Sequence, residues 1–369
     1  MPPVETTAET SADRVENTVG RIFEAVAGTM DLYAIYLGDA LGCYRALADG
    51  GALTAGELAA RCGMLPRYAR EWCEAQAASG YLECQNPELG PDDRRFALDS
   101  ALAGVFLDPE SLEHLMPAVR CTMVAGRALP ELVKTYRGER TYGWEDQGPE
   151  MREGQAAANR PAFTQLLASE WLTALPELHA RLGAPDSQAR VAEVGCGFGW
   201  ASIALGRTYP NLRVDGFDID APSISAARGL AEDAGLEGRV AFHVADISDH
   251  DGPLGYDAVF AFECVHDMSR PVEALASMRR MVADDGHVII VDERTEDVFT
   301  PNAPLLERVL YGYSLTVCLP DCMSSQPSAE TGTVMRPDTL REYADAAGFA
   351  SCEVLDIEHD QFRFYRLGG

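Results

Sequence analysis

The chain has 369 residues, 47% of them hydrophobic and 24% charged, enough apolar material for a sizeable core and enough length for two domains. Its 58 acidic residues outweigh 30 basic ones for a formal net charge of −28, which disfavours a nucleic-acid partner, since that affinity rests on Lys and Arg displacing counterions. No apolar run reaches the ~18 residues that span a bilayer, the N-terminus has no apolar signal core, and the ten cysteines lack paired zinc-ligand spacing, Cys318 and Cys322 being the closest two; these features predict a reduced, cytoplasmic protein.

In chain order, MPPVETTAETSADRVENT reads as a flexible lead-in that turns helical near Ser11. Leu32, Ile35, Tyr36, Ala40, Leu41 and Tyr44 then recur at helical spacing. Thr54, with Glu57 three residues on, predicts a capping box and a helix that ends at Cys62-Gly63. A second helix is expected from Pro66 to Ser79, stopped by Gly80, followed by a short strand at Tyr81-Leu82-Glu83 and a returning strand in RRFALD. Two helices and a two-stranded wing form a winged-helix pattern. Its second helix holds only Arg67 and Arg70 as bases, opposed by Glu71 and Glu74, so dimerisation suits it better than DNA reading.

From Ser111 to about Leu182 the pattern is helical again, with an apolar stripe of Phe163, Leu166, Leu167, Trp171, Leu172 and Leu175. GAPDSQAR reads as a linker and a domain boundary. Beyond Arg190, strands (RVAEV, LRVDGFD, RVAFHVADI, YDAVFAFECVH, HVIIVDER) alternate with helices, the last of them PVEALASMRRMVADDG, which implies a parallel, doubly wound sheet. CEVLDIEH and QFRFYRL close the chain as an antiparallel pair.

The strand VAEV runs into Gly195-Cys196-Gly197-Phe198-Gly199 and a helix. Glycines there allow a tight turn and close backbone approach to a ligand, and the helix start offers free N–H donors. Such a turn alone could serve several nucleotide cofactors. The acids around it narrow the choice: Glu193 before the first glycine, Asp218-Ile219 ending the second strand, and Asp246-Ile247 ending the third. A carboxylate at Asp218 can accept both ribose hydroxyls, with Asp220 as its rival, and one at Asp246 can accept from an adenine amino group.

Taken together, Glu193 to Gly199 (E-x-G-x-G-x-G), the acids and the reversed terminal hairpin resemble the class I S-adenosylmethionine-dependent methyltransferases. The resemblance implies an α/β fold: a Rossmann-like, doubly wound, seven-stranded sheet, preceded by a mainly helical winged-helix domain. It implies S-adenosyl-L-methionine as cofactor, with Glu193 and the backbone at Gly195, Gly197 and Gly199 at the methionine portion, Asp218 and Ile219 at the ribose, and Asp246 and Ile247 at the adenine. Glu263, at the end of the fourth strand, joins this set.

The run His266-Asp267-Met268-Ser269 is similar to the H-D-W-S pattern of small-molecule O-methyltransferases, with Met268 in place of Trp. The resemblance makes His266 the general base for a hydroxyl acceptor, beside Asp267 and supported by Asp292 or Glu293. C- or N-methylation, with or without a metal, is the alternative enzyme outcome. A cofactor-sensing winged-helix regulator is the reading from another class. The expected division is a flexible N-terminus at 1–20, a winged-helix dimerisation domain at 21–110, a helical connector at 111–185, and a methyltransferase domain at 186–369. A lid insertion at 295–336 offers Tyr311, Tyr313, Met323 and Arg336 to a small-molecule acceptor; packing alone is the other account of it. A homodimer is expected, with no membrane partner and no resident metal.

Overall fold

The computed structural model describes residues 10–252 and 254–369. They form two compact units that meet at Met123 and Val124, within a helix that spans Met116–Tyr136.

The first unit opens with a helix at Ser11–Ala40. Thr10 and Asp13 make a reciprocal capping box, Asp13 N–H to Thr10 Oγ1 at 3.2 Å and Thr10 N–H to Asp13 Oδ2 at 2.9 Å, so orphan donors of the first turn are satisfied. The helix expected near Ser11 begins there, so residues 11–20 of the stretch set apart as 1–20 are helical, and residues 1–9 lie outside the described residues. The Thr54–Glu57 box starts the Ala55–Cys62 helix as expected, and Gly63, at φ +67°, ends it. The next helix is Pro66–Ala78. Three short antiparallel strands follow the order β1-β3-β2: β1 (Leu53–Thr54), β2 (Glu83–Cys84) and β3 (Arg95–Ala97). The sequence reading missed β1, because two residues carry no alternation. Tyr44 anchors the core, stacked on Phe106 at 4.2 Å and edge-on to Trp72 at 5.4 Å. Arg67 pairs with Glu71, Arg70 with Asp92 and Arg94 with Glu74, so the bases of this region are matched by acids.

In the second unit a seven-stranded sheet has the order β6-β5-β4-β7-β8-β10-β9, from β4 (Arg190–Val194), β5 (Arg213–Asp218), β6 (Val240–Val244), β7 (Tyr256–Phe262), β8 (Val282–Glu293), β9 (Ser351–Val354) and β10 (Phe362–Gly368). The pairs among β4 to β8 are parallel, while β10 runs antiparallel to both β8 and β9. Both faces are covered. Along β7, Ala258, Phe260 and Phe262 enter one core and Val259 and Ala261 the other, the period of two that a strand imposes. The helix expected to run through Gly286 stops at Met281, and β8 starts at Val282. Gly286 lies so close to β7 that a Cβ would sit 2.8 Å from the Tyr256 carbonyl.

The expected connector at 111–185 is not a separate body. Phe163, Leu167, Trp171, Leu172, Leu178 and Leu182 share one core with Val191, Val214, Phe260 and Phe364 of the sheet. The apolar stripe is the cover of a sheet face, and this moves the boundary from the 183–190 linker to residue 123. No described helix is long and apolar enough to cross a membrane, and all ten cysteines are free thiols.

Candidate active site

The parallel register brings the C-terminal ends of five strands to one edge of the sheet: Val194 pairs with Phe217 and Ala261, Phe217 with His243, and Phe262 with Val291. The turn after β4 and the acids after β5, β6, β7 and β8 therefore line up along that edge, where ligands bind in open α/β sheets.

Gly195, Gly197 and Gly199 have φ of +69°, +50° and +74°. They need to be glycine for different reasons. A Cβ on Gly195 would lie 2.6 Å from Cys264 Sγ, and one on Gly199 would lie 2.3 Å from Phe242 Cζ, whereas one on Gly197 would meet nothing within 4 Å. Gly197 is the member of the turn that fronts open space. Its N–H donates to Asp218 Oδ2 at 2.8 Å, and Asp220 N–H donates to Asp218 Oδ1 at 2.8 Å. Burial holds the Asp218 carboxyl above its usual value despite these bonds.

Asp220, the rival for the ribose, is already engaged. Arg152 grips it with two bonds of 2.8 Å, and Ser223 donates to it from N–H at 3.0 Å and from Oγ at 2.6 Å. Glu193 is buried and accepts from Ser202 N–H at 2.8 Å and from Ser202 Oγ; burial pushes its pKa up to about 7. Ile219 stands exposed beside Asp218, while Ile247 is packed in a core, which leaves only its backbone for a ligand. Asp246 accepts from Ser248 and, at 2.7 Å, from Arg270; against the burial that raises it, these partners hold it below the ordinary carboxylate value.

On the acceptor side, His266 is 2% exposed. Its Nδ1 lies 2.6 Å from Asp292 Oδ1, and its Nε2 lies 3.3 Å from Asp267 Oδ1. Although burial opposes the cation, Asp267 and Asp292 hold the imidazole pKa well above the ordinary histidine range. Glu263 has the left-handed φ of +50°, uncommon for a side chain of its size, and its Oε1 has no hydrogen-bond partner. Expected on the cofactor side, Glu263 also lies within range of the charges of Glu293, His266, Asp292 and Asp267. Burial and those acids raise Glu263 well above its usual value and push Glu293 up to about 7. Cys318 comes within 4.8 Å of the ligand atoms of both His266 and Asp267, a group able to hold a metal ion that the spacing of cysteines did not disclose.

The insertion folds as a helix at Leu305–Tyr313, a wide turn at Ser314–Cys318 and a helix at Leu319–Cys322. Arg336 is corrected from acceptor contact to brace. It donates to Glu307 Oε1 at 2.7 Å, Tyr311 Oη at 3.2 Å and the Glu296 carbonyl, and Glu307 is buried. Tyr311 is bound into the same brace. Tyr313 is half-buried and Met323 exposed.

The sequence reading missed Asp321, which takes the Trp144 N–H at 2.6 Å. Burial, with Asp267 the first charge acting on it and Asp218 the next, pushes it up to about 7. The signal was present, since Asp321 is the sole charged residue between Arg308 and Glu330.

Residues 185–318 match the model of a family described as a methyltransferase domain. Ajmaline N-methyltransferase of Rauvolfia serpentina is 29% identical over 131 residues, 34% of this chain and 45% of that protein, so the match spans less than half of that relative's length. The structure of the mitomycin 7-O-methyltransferase is similar over 97% of this chain and 99% of its own, with a TM-score of 0.71 at 19% identity. Human N-acetylserotonin methyltransferase in complex with its methyl donor is similar over 98% of this chain and 99% of its own, with a TM-score of 0.61 at 18% identity. Those two likenesses speak for the fold, and the matched stretch places a methyltransferase domain in the second unit.

Proposed function

We propose that the protein methylates a hydroxyl of a small-molecule acceptor, with His266 as general base. The observation that carries this is the 2.6 Å contact of His266 Nδ1 with Asp292 Oδ1, which fixes the tautomer that leaves Nε2 to take a proton. When bound, S-adenosylmethionine supplies a methyl group on a positively charged sulfur. The chain fits that cofactor: the open space at Gly197 admits its backbone, Asp218 offers acceptor oxygens to a ribose, Ile219 an exposed apolar face and Asp246 a half-exposed carboxylate. Glu193 acts through Ser202, holding the start of the helix at Trp200–Thr208. Asp292 orients the imidazole and stabilises its cation, and Asp267 shares that charge at Nε2.

The first unit, read as a winged helix, serves dimerisation. Its helix at Ser11–Ala40 exposes Val15, Val19, Ile22, Phe23, Val26 and Met30 at spacings of three and four, a face that a second copy of the chain would bury. The free thiols fit a reducing, cytoplasmic setting.

A second reading has its own observation. A metal held by His266, Asp267 and Cys318 would make the step metal-assisted, and elemental analysis of the purified protein separates the two. The test of the main reading is transfer of a labelled methyl group to a panel of small phenols and alcohols. Wild type should label at least one acceptor, and His266→Ala should label it at least ~100-fold more slowly. An unchanged rate in the variant would remove the base from the account.

A further inference from the structure

The charges gathered around His266 are one-sided. Glu263 follows β7, Asp267 sits in the next turn, and Asp292 and Glu293 end β8. A fifth acid, Asp321, arrives on the Leu319–Cys322 helix. That helix is fastened to the His266 loop: Ser269 Oγ donates to the Cys322 carbonyl at 2.9 Å, and Cys322 Sγ donates to the Met268 carbonyl at 3.4 Å. Among the described residues, none of the five acids is paired with a Lys or Arg. Asp292, with a side chain 3% exposed, leaves Oδ2 without a hydrogen-bond partner, Glu263 Oε1 has none either, and Asp267 Oδ1 has only its ion pair with His266 Nε2.

Buried carboxylates without counter-charge are costly to hold. Alone, the protein relieves the cost by keeping protons: burial pushes both Glu293 and Asp321 up to about 7. Were all five acids ionised, the single imidazole of His266 would not balance them, and the unpartnered Asp292 Oδ2 and Glu263 Oε1 are left open to a donor. We propose that the acceptor carries a protonated amine, bound by the acids flanking His266, with Asp321 as a binding residue on the lid side. This rests on the methyltransferase reading and names the substrate class of that site. The ammonium docks against the acids while the hydroxyl to be methylated faces His266. A metal ion on His266, Asp267 and Cys318 is the rival way to supply charge, but Glu263, Glu293 and Asp321 lie outside that group and would stay unpaired. Acids spread this widely fit an extended organic cation better than a point ion.

The probe is a set of size-matched small fragments, equal in number of ammonium, neutral and carboxylate members, screened by ligand-observed NMR against the wild-type complex with S-adenosylhomocysteine. Ammonium members should dominate the hits. Asp321→Asn should weaken them about tenfold, the loss of one charge-assisted bond, and leave S-adenosylhomocysteine affinity within twofold. A hit list without charge preference, an unaltered response of Asp321→Asn, or one equivalent of metal in the purified protein would each overturn the proposal. Wild type that fails to bind S-adenosylhomocysteine would overturn the methyltransferase reading as well, so the two failures are distinguishable.

Discussion

Asp292 holds His266 by its Nδ1 at 2.6 Å, from a strand that pairs directly with the one preceding the histidine. The contact depends on the β7–β8 register and not on the lid. Asp292→Asn should keep the shape, lose the anion and lower kcat by a factor of about 10² to 10⁴, with S-adenosylhomocysteine affinity unchanged. Because the two residues act as a unit, adding His266→Ala to Asp292→Asn should cost little more. Single-turnover rates of the three variants check this; independent, multiplying losses would contradict it.

The pH profile carries the sign of the His266 environment. Asp267 and Asp292 raise its pKa, so the neutral, proton-accepting form appears only as pH climbs above the ordinary histidine range. kcat/KM should therefore rise with pH along an alkaline limb. Asp267→Asn removes an anion and should move that limb to lower pH. A limb at or below the ordinary value in wild type would contradict the geometry.

Glu193 links stability to pH. Its pKa rises from 4.5 to about 7 on folding through burial, so the stability it contributes is present below the unfolded value and is lost as pH rises through about 7. Glu193→Gln can keep an acceptor for Ser202 without this penalty. Between pH 4.5 and pH 8 the stability difference should shift in the variant's favour by about 3 kcal/mol. Urea denaturation of the ligand-free proteins across that range measures it.

The glycines of the turn should separate by phenotype. At Gly199 a Cβ would strike the Phe242 ring at 2.3 Å, so Gly199→Ala should cost about 2–4 kcal/mol of stability. At Gly197 it would enter open space at φ +50°, so Gly197→Ala should cost only about 1 kcal/mol yet weaken S-adenosylhomocysteine at least tenfold. Thermal melts and calorimetry on the pair check this, and wild-type affinity in Gly197→Ala would move the cofactor elsewhere.

Arg336→Ala removes the counter-charge of buried Glu307 and should destabilise the protein by about 3 kcal/mol. A stable variant with a raised KM would restore Arg336 as an acceptor contact.

The sheet was legible in the sequence because period-two and helical patterns alternate cleanly after Arg190, and the reversed hairpin shows in a link too short for a crossover. The alignment of acids along one sheet edge was legible because the strand ends repeat an acid in register. What was hidden is long-range. Arg152 lies 68 positions from the Asp220 it grips, and no local pattern announces such a pair. Trp171 looked like part of a connector because a helical stripe does not say which surface it covers. Arg336 looked like an acceptor contact because it lies in a long insertion, and its partner Glu307, 29 positions away, gives no local sign of the pair. Asp321 left the clearer trace, a lone charge in an uncharged stretch.

The most direct measurement is calorimetric titration of S-adenosylhomocysteine into wild type and Asp218→Ala. The account predicts saturable one-site binding by wild type and a loss of about 100-fold in the variant, since Asp218 accepts from the Gly197 backbone and is the proposed ribose acceptor. Absence of binding by a folded wild type, or equal affinity in the variant, would contradict it.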